Sequence, residues 1–208
     1  KSHYKKSGTP TMGGIIMIIA LIITTLTSGM INSDTLILLL STLGFGLIGF
    51  IDDFIKVVLK RSLGLRAYQK LIGQIILAVI LAVYQSNNSI LGPKSRTSML
   101  GTKIIIPFVK NKYLDLGLFY VPFIAFVVVG TVNSVNLTDG LDGLASGVTL
   151  IVLSFFGLVA LNWGMSSIGI FAAALTGACL GFLIYNVYPA KIFMGDTGSM
   201  ALGGAVSA

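Results

Sequence analysis

Five aspartates stand at the ends of apolar runs in this 208-residue chain: Asp52, Asp53, Asp139, Asp142 and Asp196. The only other acids are Asp34 and Asp115, and there is no glutamate. In a chain that is 55% hydrophobic, carboxylates at membrane boundaries cost free energy and mark functional positions. Facing one compartment, they read as a single polar, cation-binding site. Lysines accompany them, whereas the chain has one histidine, His3, and one cysteine, Cys179. Oxygen ligands without a thiolate or imidazole cluster favour Mg²⁺ or Mn²⁺ over zinc. Mg²⁺ with lysines and turn amides suits phosphoryl transfer, where charge on phosphate oxygens must be neutralised.

Four segments carry these residues. Lys5-Lys6-Ser7-Gly8-Thr9-Pro10-Thr11-Met12-Gly13-Gly14 reads either as a basic membrane anchor or as a helix start that attracts phosphate through lysines and free N–H groups. In Ile51-Asp52-Asp53-Phe54-Ile55-Lys56, helical spacing lets Lys56 neighbour both acids, and a lysine or a divalent cation relieves their repulsion. Asn133, Asn136, Asp139 and Asp142 recur every third residue. The two Asp-Gly steps that close this segment, Asp139-Gly140 and Asp142-Gly143, predict tight turns that gather N–H groups and carboxylates, as a nucleotide or metal site requires. The asparagines serve equally well as interhelical hydrogen-bonding groups. The last segment runs from Asn186 through Pro189 to Ser199. There Asp196, between two glycines and near Thr197 and Ser199, offers hard oxygen ligands just before a new helix. Phe193 either stacks on a base or anchors its loop in the interface.

The elements that must position these groups are membrane helices. Mean hydropathy is +0.94, and the apolar runs lack strand-like alternation, so the expected fold is an all-α polytopic membrane protein. Six complete spans are predicted near Gly13–Met30, Thr35–Ile51, Leu71–Tyr84, Leu118–Leu137, Ala145–Leu161 and Ile168–Tyr188, with a seventh starting at Ser199. Residues 1–208 form one integral membrane domain, interrupted by an extracytoplasmic loop, 85–117, in which Gly92-Pro93 and Lys103–Val109 predict a small hairpin. Gly177 and Gly181 in the sixth span predict close helix packing. Lone and mid-span, Cys179 reads as a packing residue and excludes disulfides within the chain. His3 reads as a solvated loop residue.

Alternating spans put all four polar segments on one side. That side carries Lys1, Lys5, Lys6, Lys56, Lys60, Arg61, Arg66, Lys70 and Lys191, against five basic residues in the long loop opposite. The positive-inside rule makes it cytoplasmic. A net charge of +7 scattered over inter-span loops points to anionic headgroups or a phosphorylated substrate, not to nucleic acid.

The blocks KKSGTPTMGG, FIDDFIK, NSVNLTDGLDGLA and NVYPAKIFMGDTGS resemble the signature segments of the phospho-N-acetylmuramoyl-pentapeptide transferases. These belong to the polyprenyl-phosphate N-acetylhexosamine-1-phosphate transferase superfamily. The resemblance implies Mg²⁺-dependent transfer of phospho-MurNAc-pentapeptide from UDP-MurNAc-pentapeptide to undecaprenyl phosphate. The products are lipid I and UMP in peptidoglycan biosynthesis, at the cytoplasmic face of a bacterial plasma membrane. It implies that Asp52, Asp53 and Asp196 are catalytic, with Asp52 deprotonating or orienting the lipid phosphate and Asp196 binding the metal. Lys56 would hold phosphate. Lys6, Gly140, Leu141, Asp142, Asn186 and Phe193 would line the uridine and diphosphate pocket, and Asp139 is a further candidate for contact with substrate. Homodimerisation follows from the family alone.

The family's ten helices and late histidine-rich motif exceed what stands here. Because it opens on Lys1 and closes at Ala208 inside an apolar run, the chain is expected to be an excerpt lacking one N-terminal helix and a C-terminal part. A UDP-GlcNAc-using relative is the near alternative. A CDP-alcohol phosphotransferase fits less well, since Ser146 stands where its motif needs arginine. A cation-coupled transporter would place its carboxylates near the midplane rather than at span ends. Direct attack by the lipid phosphate and a covalent phospho-aspartyl route are both compatible with these residues.

Overall fold

The computed structural model describes residues 8–61, 63–87, 101–106, 109 and 112–208. It is an all-α polytopic membrane architecture. In chain order come α1 (Gly14–Thr27), α2 (Ser33–Val57), α3 (Ala67–Asn87), β1 (Lys103–Ile105), β2 (Tyr113–Asp115), a 3₁₀ turn (Gly117–Phe119), α4 (Tyr120–Thr138), α5 (Leu144–Asn162), α6 (Ser166–Asn186) and α7 (Gly195–Ser207). Five of these helices, α2 to α6, are long and apolar enough to cross a membrane. The first is shorter than its hydropathy predicts: with 14 residues it rises about 21 Å, less than a hydrocarbon core of about 30 Å.

Hydrogen bonds show that the helices alternate in direction. Asn32 caps α2, its Oδ1 accepting from the Thr35 N–H at 2.9 Å, and its Nδ2 donates to Ser167 Oγ at the start of α6 (2.9 Å). At that same end Gln85, late in α3, donates to the Ala208 carbonyl after α7. The N-termini of α1, α3, α5 and α7 and the C-termini of α2, α4 and α6 therefore share the opposite end, as span parity requires.

The centre of the bundle is α7. Every residue from Thr197 to Ala205 is buried, and the helix packs on α1, α2, α4 and α5. Its glycines and alanines allow this: a Cβ on Gly203 would stand 2.6 Å from the Val132 backbone. Two apolar cores flank it. One gathers Met17, Leu21, Leu39, Phe171, Leu175 and Leu202 between α1, α2, α6 and α7. The other gathers Phe45, Ala78, Leu81, Val128, Val132 and Met200 between α2, α3, α4 and α7. Outward-facing Ile72, Ile76, Ile80, Phe126 and Ile151 are exposed, an apolar coat suited to lipid.

Several boundaries differ from the sequence reading. The second helix runs on to Val57 rather than stopping at Ile51, so Asp52, Asp53 and Lys56 lie within it. The last begins at Gly195, which places Asp196 in its first turn rather than ahead of it. A Cβ on Gly177 or Gly181 would meet nothing within 4 Å; these glycines line an open apolar groove of about 840 Å³ between α1 and α6 instead of a helix contact. In the long loop, β1 and β2 pair antiparallel with Lys103 opposite Asp115 and Ile105 opposite Tyr113. The expected hairpin thus pairs Lys103–Ile105 with a strand beyond Val109.

Candidate active site

Asp52 lies one and a half turns from the end of α2 and is fully buried. A buried carboxylate without a partner costs several kcal/mol, so its surroundings must compensate. Lys56, one turn along the same helix, pairs with its Oδ2. The ammonium of Lys70, in the first turn of α3, lies 3.0 Å from the same atom. Both lysines also reach Asp196 Oδ2, at 3.1 Å from Lys56 and 2.6 Å from Lys70. Two carboxylates and two ammoniums thus alternate in one cluster at the end of the bundle. Asp196 Oδ1 accepts from Asn136 Nδ2 at 3.0 Å, and that amide also donates to Ser199 Oγ at 2.8 Å.

Asp53 turns the other way. Its Oδ1 accepts from the Asp196 N–H (3.1 Å), and its Oδ2 accepts from the Thr197 N–H (2.8 Å) and the Thr197 hydroxyl (2.7 Å). It caps α7 from another helix, satisfying N–H groups that α7 cannot satisfy itself. The expectation that Lys56 neighbours both acids of the pair therefore fails: successive residues of a helix point about 100° apart, and of Asp52 and Asp53 Lys56 pairs with Asp52. Close approach makes this cap possible, since a Cβ on Gly49, one turn before Asp53, would collide with the Asp196 backbone.

The five boundary acids do not form one group. Asp52, Asp53 and Asp196 each present an oxygen within 4.8 Å of the others, and Asp139 and Asp142 lie outside that cluster. Asp142 Oδ2 accepts from the Ala190 N–H at 3.1 Å, tying the α4–α5 turn to the α6–α7 loop. Asn186 reinforces the tie. Buried at the end of α6, it accepts from the Gly143 N–H (3.0 Å) and Ser146 Oγ (3.2 Å) and donates to the Ile192 carbonyl (2.9 Å). Asp139 follows α4 half-buried, and Gly140 and Leu141 are exposed in the turn. Phe193 is half-buried, with its backbone paired to Pro10 and Gly13. That pairing joins the segment preceding α1 to the same end of the bundle. Lys6 lies outside the described residues.

Three contributors escaped the sequence reading. Lys70 is separated from Asp196 by 126 positions, and its one signal is a basic residue opening an apolar run on the side of the acids. Gln74, one turn further along α3, is buried and exchanges hydrogen bonds with Asn133, whose Nδ2 donates to Gln74 Oε1 at 2.7 Å. A glutamine in mid-span demands such a partner. The third is a backbone amide: the Leu65 N–H donates to Asp52 Oδ1 at 2.7 Å.

The donor set fits a hard divalent cation. Asp52 Oδ2 is sequestered from solvent and lies between the ammoniums of Lys56 and Lys70, the second at 3.0 Å. Asp53 is largely committed to α7, so Asp52 and Asp196 retain ligand capacity.

Helices, charge cluster and membrane boundary together define a polytopic membrane protein with a carboxylate–lysine site suited to anionic substrates. Known sequences narrow the class. The profile of the family described as Glycosyl transferase family 4 matches residues 35–208, and the chain belongs to that family. Residues 6–18 match a motif described as phospho-N-acetylmuramoyl-pentapeptide-transferase signature 1. The chain is 62% identical to the protein named phospho-N-acetylmuramoyl-pentapeptide-transferase in Alkaliphilus metalliredigens (strain QYMF), over all of its own length and 63% of the relative's. It is 57% identical to the protein of that name in Thermoanaerobacter sp. (strain X514) and 53% to that in Clostridioides difficile (strain 630), again along its whole length and 62% of theirs. The chain thus spans less than two thirds of the length of these curated relatives.

Proposed function

We propose that the protein transfers phospho-MurNAc-pentapeptide from UDP-MurNAc-pentapeptide to undecaprenyl phosphate, giving lipid I and UMP. The observation that carries this is the Asp52–Lys56–Lys70–Asp196 cluster at a membrane boundary, in a chain 62% identical to a protein named for that transfer. An oxygen of the acceptor phosphate bonds to the sugar-linked phosphorus of the donor, and the bond from that phosphorus to the UMP oxygen breaks. The acceptor is a lipid and the donor is water-soluble, so the reaction needs a site at a span end rather than at the midplane.

Chain residues divide the work. Lys56 and Lys70 neutralise phosphate oxygens; held now by Asp52 and Asp196, they are already oriented towards one point. Asp52 orients the acceptor phosphate and takes its proton when that phosphate arrives protonated. Asp196 and Asp52 would hold Mg²⁺, which when bound offsets charge on the phosphate oxygens. The α4–α5 turn and the α6–α7 loop, fastened by Asp142 and Asn186, form the wall against which the uridine packs, and Phe193 is the proposed stacking group. The proposed location is the cytoplasmic face of a bacterial plasma membrane, a reading that the excess of basic residues on this end supports. A homodimer is the proposed assembly.

The test is UMP release by the purified full-length protein in detergent, with UDP-MurNAc-pentapeptide, polyprenyl phosphate and Mg²⁺. The expected result is release that EDTA and Asp196→Asn each abolish. Release with UDP-GlcNAc alone would overturn the donor, and no release with either from folded protein would overturn the reaction.

A further inference from the structure

The connection between α2 and α3 reaches the most buried acid with its backbone. Thirteen residues after Asp52, the Leu65 N–H donates to Asp52 Oδ1 at 2.7 Å. Gly64 is required there twice over. Its φ of +58° lies in the left-handed region, and a Cβ would stand 2.5 Å from Asp52 Oδ1 and 2.8 Å from Lys56 Cε. The turn is fastened on both sides. Before it, the Arg61 N–H donates to the Ile55 carbonyl at 3.2 Å and the Gly64 N–H to the Arg61 carbonyl at 3.2 Å. After it, the Arg66 N–H donates to Gln69 Oε1 at 2.9 Å, and the Arg66 carbonyl accepts from the N–H groups of Gln69 and Lys70.

A carboxylate torsion is broad and nearly two-fold, so the two oxygens of an aspartate are equivalent unless something distinguishes them. Here Oδ1 is taken by a backbone amide, while Oδ2 is buried between two ammoniums. We infer that Gly64 and the Leu65 amide are positioning elements for Asp52: they fix its rotation so that Oδ2 alone faces Lys56, Lys70, Asp196 and the reacting phosphate. The last clause rests on the transfer reaction proposed above; the fixed rotation does not. The turn leads directly into α3, so the same backbone that holds Asp52 also sets where Lys70 begins.

The experiment replaces the amide without adding an atom. The α-hydroxy analogue of leucine, introduced at position 65 by nonsense suppression, puts an ester oxygen where the N–H stood. Gly64→Ala is made beside it, with Leu63→Ala as an exposed control in the same turn. Each is measured for kcat and KM of UMP release, for thermal stability, and for the infrared carboxylate band of Asp52, identified by its loss in Asp52→Asn. The ester and Gly64→Ala should lower kcat roughly ten- to hundred-fold, leave the donor KM within about threefold, and shift the Asp52 band. Leu63→Ala should match the parent. Unchanged kcat in the ester protein, a loss confined to KM, or an unshifted band would overturn the inference. If Gly64→Ala does not fold, the ester protein decides. If the parent releases no UMP, the transfer reaction fails, and the infrared band still decides whether the amide orients Asp52.

Discussion

Asp53 offers the sharpest separation between a structural and a chemical acid. Its two oxygens accept three hydrogen bonds from the first turn of α7, and α7 carries Asp196 into the lysine cluster. In Asp53→Asn the carboxamide keeps one accepting oxygen and turns an NH₂ group towards donors. One or two charge-assisted bonds are lost, each worth about 1.5–3 kcal/mol, together with the favourable placement of a negative charge at a helix N-terminus, about 0.3–1 kcal/mol. Because the Thr197 hydroxyl can rotate to donate elsewhere, the net destabilisation should fall at about 2–4 kcal/mol.

Cys179 supplies the assay. It is the single cysteine of these 208 residues and is fully buried, so in full-length protein with any cysteine outside them replaced, a thiol-reactive dye reports its exposure on heating in detergent. In a chain of this size the Asp53→Asn midpoint should fall on the order of 5–10 °C, with UMP release falling as α7 loses its register. Thr197→Val removes one of the three bonds and should reproduce part of both effects. The two changes together should cost less than their sum, because they delete one shared contact. An Asp53→Asn protein with unchanged melting and no turnover would refute this account and make Asp53 a participant in the chemistry.

Lys70→Ala should lower kcat about a hundredfold or more, with partial recovery in Lys70→Arg, because the change deletes one of two cations facing Asp52 and Asp196; kcat within about threefold of the parent would refute the role. Asn186→Leu strips partners from Gly143, Ser146 and the Ile192 carbonyl and should raise the donor KM more than it lowers kcat, read from steady-state UMP release. In the hairpin, the Thr102 hydroxyl and then the Gly117 N–H hold the Asp115 carboxyl below its ordinary value of 3.8. That contribution to hairpin stability is complete above pH 3.8 and is withdrawn as pH falls through the lowered value. Thr102→Val should move the titration of Asp115 upward, measured by the NMR shift of its carboxyl carbon.

The spans were legible because apolar runs of this length admit few other structures, and the shared end of the polar segments followed from counting spans. Misplaced boundaries have a common cause. The apolar run stops at Ile51, although the helix continues through acids that find partners: Lys56 at i+4 for Asp52 and the N-terminus of α7 for Asp53. The seventh helix was legible as starting at Ser199, four residues late, but not as the centre of the bundle. Thirteen residues rich in glycine and alanine have no apolar stripe, because every face is buried. Gly177 and Gly181 show the converse, a packing motif without a packing partner among the described residues. Lys70 and the Leu65 amide were invisible for different reasons: the first is one basic residue among many, and the second has no side-chain signature at all.

What ties these observations together is the position of Asp196. Its side chain receives Lys56 from α2, Lys70 from α3 and Asn136 from α4, and its backbone N–H goes to Asp53. Four helices therefore meet at one residue, and Asp196 has its full set of partners only when all four are in place. Such an arrangement is a poor way to stabilise a bundle. Well-packed apolar side chains of similar volume would hold the same helices at equal or lower free energy, because the desolvation of buried ions consumes most of their attraction. A membrane makes the imbalance larger, since little water remains nearby to solvate an unpaired group. The cost is met at the same span end where Asp142 and Asn186 fasten two further connections. Stability gives no reason for that coincidence, whereas the proposed transfer, which must hold phosphate oxygens beside a lipid acceptor, would require it.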